Sequence, residues 1–480
     1  MKKLNVTLVS AVQTSFWGSS ENEYQKKYIP LLEKLSIELE FNLTCIKEPA
    51  CDAKTAFKLK NEIKASQPDF LLIQVSTFAA GDILPQLTEC CQKIGIWGID
   101  EVTYNGAIPN NSFCGMNMYA SIIRQYQHNE TPFKWFYGVD EELFHKRFEI
   151  TIKALTALKN LNNSKVGLIG GVAPGFYDLE FDARTIKKKL GVNIERNYEY
   201  GDIKDMAIKY SEEELRNELQ TFSQECGCIS SSLSQSGIIN TVRIYHAIKE
   251  LISKEELNAV AISCWPKYRR DFGVVVCSVI GRLLENGIIA ACEGDIESTI
   301  SMQLLSYLTK NEIPMLMDFS KFDENDQTIL CWHCGSAPKR YADKNGCNVC
   351  GHYKPGQYIT GADEIKVAAV NDMYYAPNSI TSVRFTDDCK RALVLSGEFI
   401  DKNDHSYDGS RGWIGNLKLN GNPISVRDFI ETILSNGFQH HYPIIKGNCV
   451  NEIMETLAWL DIEPISPVNY HPYLQVPYSK

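Results

Sequence analysis

From Leu4 onward the chain alternates short apolar runs with amphipathic stretches. LNVTLVSA, IELEFNLTCI, DFLLIQVS and IGIWGI read as strands, and YQKKYIPLLEKL, AFKLKNEIKA and ILPQLTECCQKI as the helices between them. Strands separated by helical patterns of about 10–15 residues mark βαβ units and a parallel sheet. After the polar segment LKNLNNS the pattern starts again with VGLIGG. It runs through helices near DARTIKKKLG and INTVRIYHAIKELI to the strands AVAISCW, IIAACE and IPMLMD, which close it near residue 318. Beyond residue 325 the character changes: Gly, Asn and Asp separate β-branched runs (ITSVRF, RALVLSG, GWIGNLKL), with one helix near VRDFIETIL. The expected division is 1–160 and 161–322, two α/β domains with parallel sheets, then 323–480, a mainly β domain.

Composition narrows the function. The chain has 480 residues, 44 % hydrophobic and 22 % charged, with a formal net charge of −10. These are globular values, and the acidic balance argues against a nucleic-acid partner, whose phosphates must be neutralised by Lys and Arg. No run approaches the roughly 18 apolar residues that crossing a bilayer requires, so no membrane partner is expected. The opening Met1-Lys2-Lys3 and LNVTLVSAV imitate a signal peptide, but Asn5, Thr7 and Ser10 interrupt the apolar stretch and a first strand fits better. The 16 cysteines form no regular framework, and several (Cys277, Cys292) sit in apolar runs, which suits a reducing cytoplasm.

Candidate chemistry concentrates in residues 288–320. IIAAC reads as a buried strand ending at Glu293, Gly294-Asp295 can turn and cap a helix, and Ile296, Ile300, Leu304 and Leu308 line one helix face. Pro314 then opens a strand ending at Asp318. Read as one βαβ unit, this makes the strands parallel, and as neighbours they would lie about 4.8 Å apart. Glu293 and Asp318 would then share one sheet edge, where a divalent cation such as Mn²⁺ or Mg²⁺ relieves their repulsion. The alternative is that Glu293 belongs to the cap and Asp318 to an ordinary turn.

CEGD at 292–295, Asp318, HCG-x-AP at 333–338 and the His440-His441 pair resemble the L-fucose isomerase/L-arabinose isomerase family. GGVAPGFYDLEFD, VRIYHAIKELI and SCWP are similar to its middle domain, so the resemblance covers most of the chain from about residue 165. It implies two Rossmann-like domains and a β-rich C-terminal domain, usually in a homo-hexamer, and a metal-dependent aldose–ketose isomerase acting on a free monosaccharide. Glu293 and Asp318 would be metal ligands and the acid/base pair. His441 would be a further ligand in preference to His440, and His333 would lie near the metal with its role open. Isomerases of sulfoquinovose, an anionic hexose, also resemble this family and give the alternative substrate to an L-fucose- or L-arabinose-like sugar. A non-catalytic sugar-binding or regulatory protein is the rival from another class. It would need neither the paired acids nor the two histidines.

Other constellations carry weaker signals. Cys331-x2-Cys334 and Cys347-x2-Cys350 have the spacing of a zinc ribbon, a structural Zn²⁺ site in an excursion at 331–350, although the first pair encloses His333; otherwise they are four reduced thiols. Trp265 could offer an indole face to sugar C–H bonds or be a core residue. Lys267, Arg269 and Arg270 could recognise an anionic substituent or simply form a solvated loop, and Arg411 is a further substrate candidate or a turn residue. GLIGGVAPG lacks the GxGxxG spacing, so no nucleotide cofactor is expected. His128, His145, His246, His352, His405 and His471 lack acidic or cysteine partners at useful spacing.

Overall fold

The computed structural model describes the chain apart from residues 17–20, 102, 104, 127–131, 139–141, 226–227, 230–232, 352–368, 403–406 and 475–480; three of the isolated histidines (His128, His352, His405) fall outside the described residues. The chain forms two compact units, Met1–Asn160 and Leu161–Lys480. The first is built on a parallel sheet of five strands, Asn5–Ala11, Asn42–Cys45, Phe70–Val75, Ile94–Gly98 and Phe133–Tyr137, in the spatial order 2-1-3-4-5. Phe70–Val75 and Ile94–Gly98 are buried along their whole length, as strands covered on both faces must be. The segment that imitates a signal peptide supplies the first strand.

The second unit begins with a parallel sheet of four strands, Lys165–Ile169, Asn193–Tyr198, Ala259–Ile262 and Ile289–Cys292, in the order 2-1-3-4. Its chain reversal lies between Lys165–Ile169 and Ala259–Ile262, so the crevice beyond their carboxyl ends is where such a sheet receives a ligand. The unit also holds a closed antiparallel barrel of six strands. Arg391–Ile400, Asn378–Thr386, His441–Lys446, Met315–Asp323, Thr328–His333 and Ser410–Leu419 pair in turn, and the last strand returns to the first. These six strands close on one another, and Met315, Met317, Ile329, Cys331, Leu393, Leu395, Ile414 and Ile444 belong to the apolar cluster of the barrel.

The structure corrects the expected βαβ unit. Ile289–Cys292 belongs to the parallel sheet, whereas Met315–Asp323 is an antiparallel barrel strand between Thr328–His333 and His441–Lys446. The helix between them, Ile296–Leu308, packs against strands of both the sheet and the barrel. It is therefore buried nearly all round, including Ser298, Thr299, Ser301 and Gln303. The expected stripe of Ile296, Ile300, Leu304 and Leu308 is only one of its two covered faces. The hydroxyls are accommodated because Thr299 and Ser301 donate to the carbonyls of Asp295 and Glu297, each at 2.7 Å. The β region also holds a second helix, Val450–Trp459, besides the expected one at Val426–Ser435. Among the described residues no helix is long and apolar enough to cross a membrane.

Candidate metal centre

The centre forms where the carboxyl end of the strand Ile289–Cys292 meets the barrel. The chain leaves the strand through two left-handed residues, Glu293 at φ 60° and Gly294 at φ 75°. A Cβ on Gly294 would lie 2.3 Å from the Gly171 carbonyl, so only glycine lets the turn approach the loop after Lys165–Ile169. The Glu293 carbonyl accepts the Ala173 N–H at 2.9 Å, and the Gly294 N–H donates to Ile262 at 3.1 Å. A non-glycine residue held at positive φ with its side chain in the crevice is strain of the kind that functional sites retain.

Asp295 then starts the helix Ile296–Leu308. Its Oδ1 accepts the Ser298 N–H at 2.9 Å as the helix cap, and its Oδ2 meets both Arg384 at 2.6 Å and His441 Nδ1 at 2.9 Å. All three side chains are buried. Burial alone would raise the Asp295 pKa, but the Arg384 guanidinium, the His441 hydrogen bond and the helix N–H groups hold it well below the ordinary carboxylate value. The hydrogen bond from His441 Nδ1 to this anion turns Nε2 toward the crevice.

Around that nitrogen stand Glu293 Oε2 at 3.5 Å, Asp318 Oδ1 at 3.8 Å and Cys292 Sγ at 3.7 Å. Asp318 and His441 are direct partners across adjacent barrel strands, 123 positions apart in the chain, which places them side by side on one face. Asp318 remains 27 % exposed, yet its Oδ1 is buried with no hydrogen-bond partner. Burial raises its pKa against the opposing pull of His333, His441 and His440. A buried carboxylate oxygen facing an imidazole lone pair is short of a positive charge, and a cation bound between them satisfies both.

Three overlapping groups bring ligand atoms within 4.8 Å of one another: Cys292, His333 and His441; Glu293, His440 and His441; and Cys264, Cys292 and Glu293. His333 accepts the Cys334 N–H at Nδ1, 2.8 Å, and turns Nε2 toward Cys292 Sγ at 3.2 Å. Burial pulls its pKa down, but Asp318 and the contact with Cys334 lift it to about 9. His440 lies between Asp178 (2.9 Å) and Glu293 (3.1 Å). Burial pulls its pKa down, but the two carboxylates lift it to about 9.

The structure thus brings Glu293, Asp318, His441, His440 and His333 together and adds Asp295, Arg384, Cys264, Cys292 and Asp178. Asp295 was legible only as a helix cap. Arg384 sits in an apolar run, where an arginine needs a buried anion, and that was the signal available. Among the described residues, none of the four ribbon cysteines belongs to a group of three or more ligand atoms within 4.8 Å of one another. Cys331 and Cys347 join the barrel cluster, while Cys334 and Cys350 pack with Val275, Cys277 and Val370. Arg411 is taken up by Asp372 at 2.5 Å and the Tyr374 ring at 3.8 Å. Trp265 is 36 % exposed beside Arg269, and Lys267 lies 6.0 Å over the Tyr200 ring.

Replacing Arg384 with Met leaves Asp295 buried without its cation, which should cost about 3–5 kcal/mol of stability at neutral pH. The folded pKa of Asp295 is depressed, so its contribution is complete above the unfolded value near 4 and disappears as pH falls. The difference between Arg384→Met and the parent in denaturant unfolding should therefore narrow below about pH 4. An equal difference at pH 7 and pH 3 would contradict the electrostatic role given to Asp295.

No protein-family model matches the chain. It is 27 % identical over 405 residues to a sulfoquinovose isomerase of Priestia aryabhattai, covering 84 % of this chain and 86 % of that protein. A sulfoquinovose isomerase of Alkalicoccus urumqiensis is 25 % identical over 400 residues, 82 % of this chain and 84 % of the relative. One from Clostridium sp. (strain MSTE9) is 24 % identical over 474 residues, 92 % and 99 % of the two chains. Over most of its length the chain is therefore similar to proteins named for a sugar isomerase, and that name is of the anionic-hexose branch rather than L-fucose or L-arabinose.

Proposed function

We propose that this protein is a metal-dependent aldose–ketose isomerase whose substrate is an anionic hexose of the sulfoquinovose type. The observation that carries the reading is the buried, partnerless Oδ1 of Asp318 beside the His441 nitrogen, with Glu293 completing the set. Two carboxylates and a neutral imidazole suit a hard divalent ion, Mn²⁺ or Mg²⁺. Bound by Glu293, Asp318 and His441, that ion would supply Lewis-acid polarisation of the sugar O1 and O2.

The residues of the chain then divide the proton work. One of the two carboxylates takes the proton from C2 as the electron pair of that bond moves into a cis-enediol, and returns it to C1. The other carries the hydroxyl proton from O2 to O1, so the sugar gains and loses no atoms. A carboxylate pKa raised by burial, as at Asp318, favours a group that must hold a proton transiently. Hydrogen bonded by His440, Glu293 keeps its orientation toward the crevice.

The anionic substituent needs a cation beyond the reacting carbons. The segment following Cys264, whose sulfur lies within 4.8 Å of Cys292 and Glu293 ligand atoms, carries Trp265, Lys267, Arg269 and Arg270. Arg270 is paired with Asp271 at 2.7 Å, and Arg269 is buried next to Trp265. Lys267, resting on the face of Tyr200, is the cation best suited to meet a sulfonate, with Trp265 covering the sugar.

Asp318→Asn and Glu293→Gln should each lower turnover of sulfoquinovose by about 10²–10⁴-fold with the fold retained by circular dichroism. Turnover at the parent rate in either variant would contradict the assignment. Chelation with EDTA should abolish ketose formation and Mn²⁺ should restore it; chelator-resistant turnover would contradict the metal reading. Lys267→Ala should reduce kcat/KM for the sulfonated sugar by about 10–100-fold and leave that for a neutral aldose unchanged. An equal loss on both sugars would refute the sulfonate contact.

A further inference from the structure

Gln439 directly precedes the His440–His441 pair, and its buried side chain is held at both ends. Its Oε1 accepts the Arg384 Nε–H at 3.4 Å, and its Nε2 donates to Glu297 Oε2 at 3.1 Å. The other Glu297 oxygen accepts the Cys389 backbone N–H at 2.9 Å. Glu297 is 3 % exposed, in the first turn of the helix Ile296–Leu308, and belongs to none of the donor groups of the centre. The charged and titratable groups that face it are Arg384 on a barrel strand, Asp388 and Cys389 in the turn that follows, and Asp295 at the helix cap. Arg384 is the cation among these groups, and Asp295 already holds it at 2.6 Å. Two buried carboxyl groups therefore compete for one guanidinium. Burial pushes the Glu297 pKa up to about 7 against the pull of Arg384 and of the Cys389 N–H.

We propose that Glu297 is a positioning residue of the centre: its ionised carboxylate clamps Gln439, and with it the His440–His441 segment, and the clamp opens when that carboxylate takes a proton. That the segment serves a metal and a sugar rests on the isomerase reading; the clamp itself does not. Ionised, Glu297 accepts one N–H on each oxygen. Protonated, it must donate from one of them. The Cys389 N–H belongs to the backbone of a turn closed by the Lys390 N–H on the Thr386 carbonyl at 3.1 Å, so it stays in place. The proton therefore settles on the oxygen that faces Gln439, where two donors then meet. Turning the amide over to offer its carbonyl oxygen would set its NH₂ group against the Arg384 Nε–H. Neither orientation satisfies both neighbours, and a buried polar group left unmatched is costly. Above neutral pH Gln439 is held; below it the histidine segment loses that support, while His441 keeps its bond to Asp295.

Glu297→Gln locks the open state at every pH, because an amide carries a donor on one side. The first test is denaturant unfolding of the full chain at about pH 5.5 and about pH 8, for the parent, Glu297→Gln, Gln439→Met and the double variant. The folded pKa of about 7 lies above the unfolded value near 4.3, so ionising Glu297 costs the parent stability as pH rises through that interval. The stability of Glu297→Gln relative to the parent should therefore rise from the lower pH to the higher. The coupling between positions 297 and 439 should be present at the higher pH and vanish at the lower. A relative stability that does not change with pH, or equal coupling at both, would overturn the clamp. The second test is calorimetric Mn²⁺ binding to the metal-free chain. Glu297→Gln should bind about 10–100-fold more weakly than the parent at the higher pH and equally at the lower. The same deficit at both would leave Glu297 a merely structural role and overturn its positioning of the centre. If Glu297→Gln does not fold, Gln439→Met decides by the same pH-dependent deficit. A parent that binds no Mn²⁺ would reject the metal-dependent isomerase, and the unfolding cycle would still decide the clamp.

Discussion

The second unit depends on one anchored imidazole. His441 presents Nε2 to the crevice because Nδ1–H is tied to Asp295, and Asp295 can remain charged in the interior because Arg384 and the first turn of the helix Ile296–Leu308 neutralise it. The chain of contacts runs from a barrel strand through an imidazole and a carboxylate to an arginine on another barrel strand. Each link is buried, so each is costly to leave unmet. The result is an imidazole nitrogen whose direction is fixed before anything binds, which is the condition for a pre-organised ligand.

That anchoring also explains why the parallel sheet and the barrel share one compact unit. The sheet contributes Cys264, Cys292 and Glu293 at the carboxyl ends of its strands, and the barrel contributes Asp318, His333 and His441. Neither layer holds a complete donor set. The helix between them seals the joint on two faces, with Ser301 accepting the Phe385 N–H of the barrel at 3.1 Å while its own hydroxyl satisfies the helix backbone. A crevice assembled this way has two acids and a thiol around one imidazole nitrogen.

Much of this architecture was legible in the sequence, and the failures share a cause. The alternation of apolar runs and amphipathic stretches reports the period of each element, which is local, and both parallel sheets and the mainly β end followed from it. The period does not report which sheet a strand joins. Met315–Asp323 has the apolar run of a parallel strand, but it is covered on one face by the barrel cluster and on the other by the helix, and this gave the mistaken βαβ unit. Glu293 and Asp318 were first named as the strand-end acids of that unit, and His441 only through motif resemblance, since no spacing relates residues that come into register only when a barrel closes. The cysteine pairs have metal-like spacing, and two of the four, Cys331 and Cys347, belong to the apolar cluster of the barrel. Cys292, which has no partner at a suggestive spacing, is the thiol that the fold brings to the centre.

The claim on which the account stands is that Glu293, Asp318 and His441 grip one divalent ion. Anomalous diffraction at the manganese edge from crystals of the protein grown with Mn²⁺ tests it most directly. The account predicts a single peak between those three side chains, about 2.1 Å from a donor atom of each. A peak elsewhere, or three ordered side chains with no peak between them, would contradict it.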